Sequence, residues 1–162
     1  MTDDPLRRQL LRLLEGLDAH MPFEEAVADF PDAAMNQRPP NVEYTPWHLI
    51  EHVRLTQADI LDYIVNPEYA EMEWPREFWP DRSATATREQ WDETVRGFLA
   101  DRDALRAIVA DEARDLFAVI PGTPGHSIVR EVRIVGDHNA YHVGEFAVLR
   151  QVMGTWPADR GG

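Results

Sequence analysis

Two pairs of histidines, His48 with His52 and His138 with His142, each stand four residues apart. Four residues is just over one helical turn, so in a helix each pair projects from one face, as two ligands of one metal ion require. Random placement of six histidines yields roughly 0.2 such pairs, so two are a signal to follow. Imidazole nitrogens suit zinc, nickel or ferrous iron. Two helices presenting such rings to each other would build a site from residues some ninety positions apart.

What could hold those rings is bounded by composition. The chain of 162 residues fits one domain, residues 1–162, and is long enough to bury a core. Cysteine is absent, which excludes disulfides, a thiolate nucleophile and thiolate metal ligands. Lysine is absent too, so all 16 cationic side chains are arginine. Schiff-base catalysis and a phosphate-loop lysine are thereby excluded. A net charge of −13 argues against binding nucleic acid or a membrane surface, both of which favour clustered basic residues. No apolar run approaches the roughly 20 residues of a membrane span, and the start MTDDPLRRQL carries no hydrophobic signal core, so a cytoplasmic location is expected.

Helical spacing recurs four times. Leu6, Leu10, Leu13 and Leu17 mark a first helix with Asp4 as cap and Pro5 in its first turn. A short helical turn is expected around Phe23 to Asp29. Thr45 and Pro46 repeat the start signal for a second long helix to about Asn66, with Leu49, Val53, Thr56, Ile60 and Ile64 inward. Residues 67–86, broken by Pro67, Pro75 and Pro80 among Trp74, Phe78 and Trp79, predict an ordered loop whose aromatics either rim a pocket or, the simpler reading, cap the bundle end. Thr87 and Gln90 form a capping-box signal for a third helix carrying Trp91, Val95, Phe98, Leu105 and Ile108 or Val109 to about Asp111. Ser127 then caps a final helix reaching Met153 before Gly154, with Gly136 inside it at a modest cost. Four amphipathic helices with long loops and no alternating strand predict an all-α four-helix bundle.

On helical wheels of the second and last of these helices, His142 falls within the apolar stripe of Ile128, Val132, Val135, Val143, Phe146 and Met153, and His138 lies on its flank. His52 sits beside Thr56 and Tyr63 at the edge of the inner stripe, and His48 about 40° further toward solvent. The inner trio is His52, His138 and His142. Three imidazoles form a neutral ligand set with coordination positions left open, and a cation there would lower the pKa of a bound water or thiol. The competing reading is a set of separate core and surface histidines.

The segment Thr45-Pro46-Trp47-His48-Leu49-Ile50-Glu51-His52-Val53-Arg54 resembles the DinB-like superfamily. So do Trp74-Pro75 with Phe78-Trp79-Pro80, and Asp137-His138-Asn139-Ala140-Tyr141-His142-Val143-Gly144-Glu145. That resemblance implies a bundle holding a divalent metal on one histidine of the second long helix and two of the last, here His52, His138 and His142, with His48 outside the usual three. It also implies metal-dependent transferases and isomerases that use low-molecular-weight thiols among the relatives. Glu145 stands where a glutamine often follows the glycine, and is either an orienting partner of a ligand or a solvated side chain.

The leading expectation is an enzyme, a thiol transferase or hydrolase, whose divalent metal (zinc, nickel or iron) activates a low-molecular-weight thiol or water against a small-molecule electrophile. The alternative is a non-catalytic binding or stress-response module in which the metal staples two helices, with His48 as a candidate fourth ligand. Glu51, Tyr63 and Glu145 are candidates for catalytic work, and Asp59 and Asp137, like Glu51 and Glu145, for a general base or for orienting an imidazole. Asn139 and Tyr141 point away on the wheel. Gly144 allows either close helix approach or room for a substrate. His20 and His126, at helix boundaries, read as structural, and a homodimer is the expected assembly because bundles of this kind often associate.

Overall fold

Each helix begins where the sequence supplies a side-chain oxygen for the orphan amides of a first turn. A computed structural model describes residues 4–158; Met1 to Asp3 of the stretch read for a signal core, and residues 159–162, lie outside the described residues. Asp4 accepts from the amides of Leu6 and Arg7 to start α1 (Pro5–Glu15). The short α2 (Phe23–Val27) follows, then a 3-10 turn at Asp32–Ala34. Thr45 caps α3 (Pro46–Val65), Thr87 exchanges both capping-box bonds with Gln90 to open α4 (Arg88–Ala110), and Ser127 caps α5 (Ile128–Met153). Helix α1 stops earlier than the leucine spacing suggests, because Gly16 takes a left-handed conformation (φ 69°), leaving Leu17 about half exposed.

The regular secondary structure of the described residues is all helix, apart from one isolated bridge between Val119 and Ser127. Helices α1 and α3 each pack against both α4 and α5, while α2 lies on α5. Two apolar clusters result. One joins α2 to Leu49, Ile50 and Val53 of α3, Trp91 and Phe98 of α4, and Val143, Phe146 and Leu149 of α5. The other joins Leu10 and Leu14 of α1 to Ile60, Ile64, Leu105, Val109, Val132 and Val135. Since the first halves of α3 and α4 share one cluster, these helices run parallel and the connection at 66–87 must travel back along the bundle. That return brings the aromatic loop over the first turns of α3.

Between the clusters the interior is polar. Thr56, expected inward, is only partly buried, and Gln57 takes the inner place at 1% exposure. Its amide donates to the Phe98 carbonyl at 2.7 Å and accepts from Asn139 at 3.0 Å, so α3 meets α4 and α5 through a satisfied polar residue the apolar pattern could not flag. Gly136 also has a packing role: a methyl group there would meet Leu13 Cγ at 2.3 Å, so its bare backbone lets α1 lie against α5.

Arginine does structural work that lysine could not. Arg7 donates to the carbonyls of Val109, Asp111 and Arg114 at 2.6, 2.9 and 2.5 Å, closing the C-terminal end of α4. Arg150, fully buried, donates to Ala26, Ala28 and Thr155 carbonyls at 2.8, 2.7 and 2.8 Å and stacks on Trp156. Only a planar fork reaches three divergent carbonyls from one stem. Arg150→Lys is therefore expected to lose about 2–4 kcal/mol in urea unfolding, because buried carbonyls stay unpaired while the charge stays buried. A loss under about 0.5 kcal/mol, the scale of surface changes, would show the fork to be dispensable.

Candidate metal centre

His52 lies in the second turn of α3 and His138 and His142 on successive turns of α5, where the two helices pack. Each offers one ring nitrogen, and the three nitrogens lie within 4.8 Å of one another. His52 Nε2 and His138 Nε2 are 3.2 Å apart, and the His142 ring centroid is 4.9 Å from that of His52 and 4.5 Å from that of His138.

The tautomers follow from the outer partners. His52 Nδ1 lies 2.7 Å from the Phe78 carbonyl, which can only accept, so the proton sits there and the lone pair of Nε2 faces the cluster. Trp79 stacks on the same ring, centroids 3.9 Å apart and planes 8° apart. His142 Nδ1 donates to Glu145 at 2.6 Å, and Glu145 in turn accepts from the Tyr44 hydroxyl. Burial works against ionised Glu145, yet the bonds from His142 and Tyr44 prevail and lower its pKa. Burial is also the main cause that raises the pKa of Tyr44, keeping its hydroxyl a donor. Desolvation pulls His52 down to about 4 and His138 to about 3, so both rings are neutral near pH 7.

Three imidazole nitrogens converging from two helices are what a divalent transition ion accepts. Two nitrogens held at zinc distances and a tetrahedral angle stand about 3.3 Å apart, close to the 3.2 Å between His52 and His138. The donor set therefore fits such an ion. The buried Nδ1 of His138 has no hydrogen-bond partner.

Other expected residues lie elsewhere. His48 is not turned toward solvent: it is 2% exposed, because the returning loop covers it. Its Nδ1 accepts from the Thr45 amide at 3.4 Å and its Nε2 donates to the Ala84 carbonyl at 2.8 Å. It completes the capping box of α3, with both nitrogens engaged and no place in the cluster. Glu51 is bound to Arg54 and to the Thr94 hydroxyl at 2.6 Å, against α4. Tyr63, eleven residues beyond His52 on α3, pairs with His126 Nδ1 at 2.7 Å, and Asp59 accepts from Tyr69 at 2.9 Å. Glu145 alone of the three catalytic candidates touches a cluster histidine, and it orients His142. The aromatic loop does more than cap the bundle end, since it holds His52 through Phe78 and Trp79.

Asp137 and Tyr141 are exposed and line, with His138 and Ile134, an open recess of about 330 Å³. Asn139 turns inward and donates to Gln57. Gly144 is exposed, and a Cβ there would meet nothing within 4 Å, so no helix approaches it closely. His20 bonds the Met21 carbonyl at 2.8 Å beside Gly16, a structural place as expected.

Tyr44 escaped the sequence reading. It precedes the Thr45 cap in irregular chain, where no periodicity assigns a face, and its partner lies 101 residues away.

A family model described as the DinB superfamily matches residues 6–146. No curated protein and no solved structure matches the chain significantly. Among the described residues no helix is long and apolar enough to cross a membrane.

Proposed function

The chain belongs to the DinB superfamily, and on that premise we propose that it is a metal-dependent enzyme whose divalent ion is held by His52, His138 and His142. The observation that carries this reading is the convergence of three ring nitrogens within 4.8 Å from two helices, with two of the rings oriented by outer partners. Zinc, nickel and iron all suit a three-imidazole set. A bound ion supplies Lewis acidity, making a low-molecular-weight thiol or a water more acidic and so nucleophilic near neutral pH toward a small electrophile.

The chain's own residues divide the remaining work. Phe78 and Trp79 fix the plane of His52, while Tyr44 and Glu145 fix that of His142. Glu145, bonded on both oxygens, is an orienting group and no free base. Asp137 is the uncommitted carboxylate in the recess beside His138, placed to take a proton from a nucleophile entering there. The double engagement of His48 speaks against a closed four-ligand staple, the non-catalytic alternative.

Elemental analysis of the native protein is expected to find about one transition ion per chain. The ligand-field spectrum of cobalt-loaded protein should then shift when a low-molecular-weight thiol is added. Protein without stoichiometric metal after metal-supplemented expression would end the reading; a cobalt spectrum indifferent to every thiol would return it to the staple.

A further inference from the structure

A second cavity, of about 560 Å³, opens between the chain leading into α3 and the returning loop. Its walls are flat and apolar: Tyr44 and Trp79, with ring centroids 5.4 Å apart and planes tilted by 40°, face Pro75 and Pro80. Charge is confined to Glu43, Asp81, Arg76 and Arg82, two of each sign. Asp81 is occupied by the amide and hydroxyl of Ser83 at 2.8 and 2.5 Å, and Arg76 by Glu73 at 2.8 Å. Glu43 and Arg82 form only a loose bridge of 3.8 Å and are 79% and 81% exposed, so their charges are cheap to redirect.

We propose that this cavity binds a small zwitterion with a flat apolar body, an aromatic amino acid in chemical class. The ring lies against Tyr44, Trp79 and the prolines, the ammonium meets Glu43 and the carboxylate meets Arg82. A purely anionic ligand would face Glu43, and a purely cationic one Arg82; a carboxylate and an ammonium on one carbon exchange a single loose bridge for two contacts. The cavity shares two wall residues with the histidine cluster, since Tyr44 holds Glu145 and Trp79 covers His52. Its service as a substrate pocket rests on the metal reading above, whereas the ligand chemistry rests on the cavity alone.

Calorimetric titration with L-phenylalanine, phenylacetate and phenethylamine, on both chelator-treated and metal-loaded protein, separates the two. L-Phenylalanine is expected to bind about five- to tenfold more tightly than either singly charged analogue, each exposed charge contact contributing a few-fold. Glu43→Gln should bring it down to the phenylacetate level and Arg82→Gln to the phenethylamine level; both positions are surface-exposed, so folding is unaffected. Equal binding of the three probes, no saturable binding of any, or a preference that survives both substitutions overturns the proposal. Selective binding to protein that holds no metal would support the cavity's ligand chemistry while the metal reading fails; stoichiometric metal with no selectivity would do the reverse.

Discussion

His142→Ala should weaken divalent-metal affinity by about 10²- to 10³-fold. Structural zinc sites with four ligands bind with about 10–16 kcal/mol, roughly 3 kcal/mol for each ligand, which converts to that factor. His52→Ala and His138→Ala should match it, because the three nitrogens share one cluster. Glu145→Gln leaves all three ligands but replaces the carboxylate that receives the His142 Nδ1 proton, and is expected to cost about 10- to 100-fold. Tyr44→Phe, one bond further out, should cost less than Glu145→Gln. His48→Ala is the control: it removes a capping partner of α3 and should lower stability by about 1 kcal/mol while metal affinity stays within about threefold. Competition titration with a chromophoric chelator measures all six. A His48→Ala loss as large as that of His142→Ala would mean that His48 swings into the cluster, and undiminished binding by His142→Ala would remove the site altogether.

Metal-free protein should lose stability steeply on mild acidification. Burial holds His52 and His138 near 4 and 3, below the value of about 6.5 that each has in an unfolded chain. Below pH 6.5 the unfolded chain therefore binds protons that the folded one refuses. Stability is complete above that pH and falls as the pH drops toward 4 for His52 and toward 3 for His138. Both groups together set a limit of about 2.7 kcal/mol per pH unit; with partial solvent access, about 1–2 is expected. A loss between pH 6.5 and 5 belongs to the histidines, because the lowered carboxylates Glu24 and Glu145 start from 4.5 and act below that window, while burial raises Asp59 and Asp101 and makes them stabilise the fold as the pH falls. Urea unfolding of chelator-treated protein at several pH values measures the slope, and a His52→Gln, His138→Gln double variant should flatten it. Constant stability from pH 7 to 5 would show that water reaches these rings freely. The same desolvation keeps both rings unprotonated, so acid lability and the proposed metal affinity would share one cause.

Much of this was legible in local chemistry. Asp4-Pro5, Thr45-Pro46, Thr87 with Gln90, and Ser127 each started the helix their types announce, because a cap is a contact among residues a few positions apart. His52, His138 and His142 were legible as an inner trio because helical periodicity converts spacing into direction. His48 was misplaced by the same wheel. A wheel knows only its own helix, and what covers His48 is Ala84, 36 residues downstream.

The sequence by itself determined the elements, the four major helices and the three rings able to face one another, since propensity, capping and periodicity act within a turn or two. The tertiary structure alone decided which residues finish the site. The return of the 66–87 connection set Phe78 and Trp79 on His52, and packing of irregular chain against α5 set Tyr44 on Glu145. It also closed His48, Glu51 and Tyr63 into bonds with Ala84, Arg54 and His126. Those partners lie 36, 3 and 63 residues away in the chain. The longer contacts carry no local periodicity, and even the short Glu51–Arg54 pair shows its consequence only once Thr94 of α4 is beside it. Glu145 is the plainest case: an ordinary acidic residue in an acidic chain became an orienting group because two donors from distant elements met its two oxygens in a half-buried place.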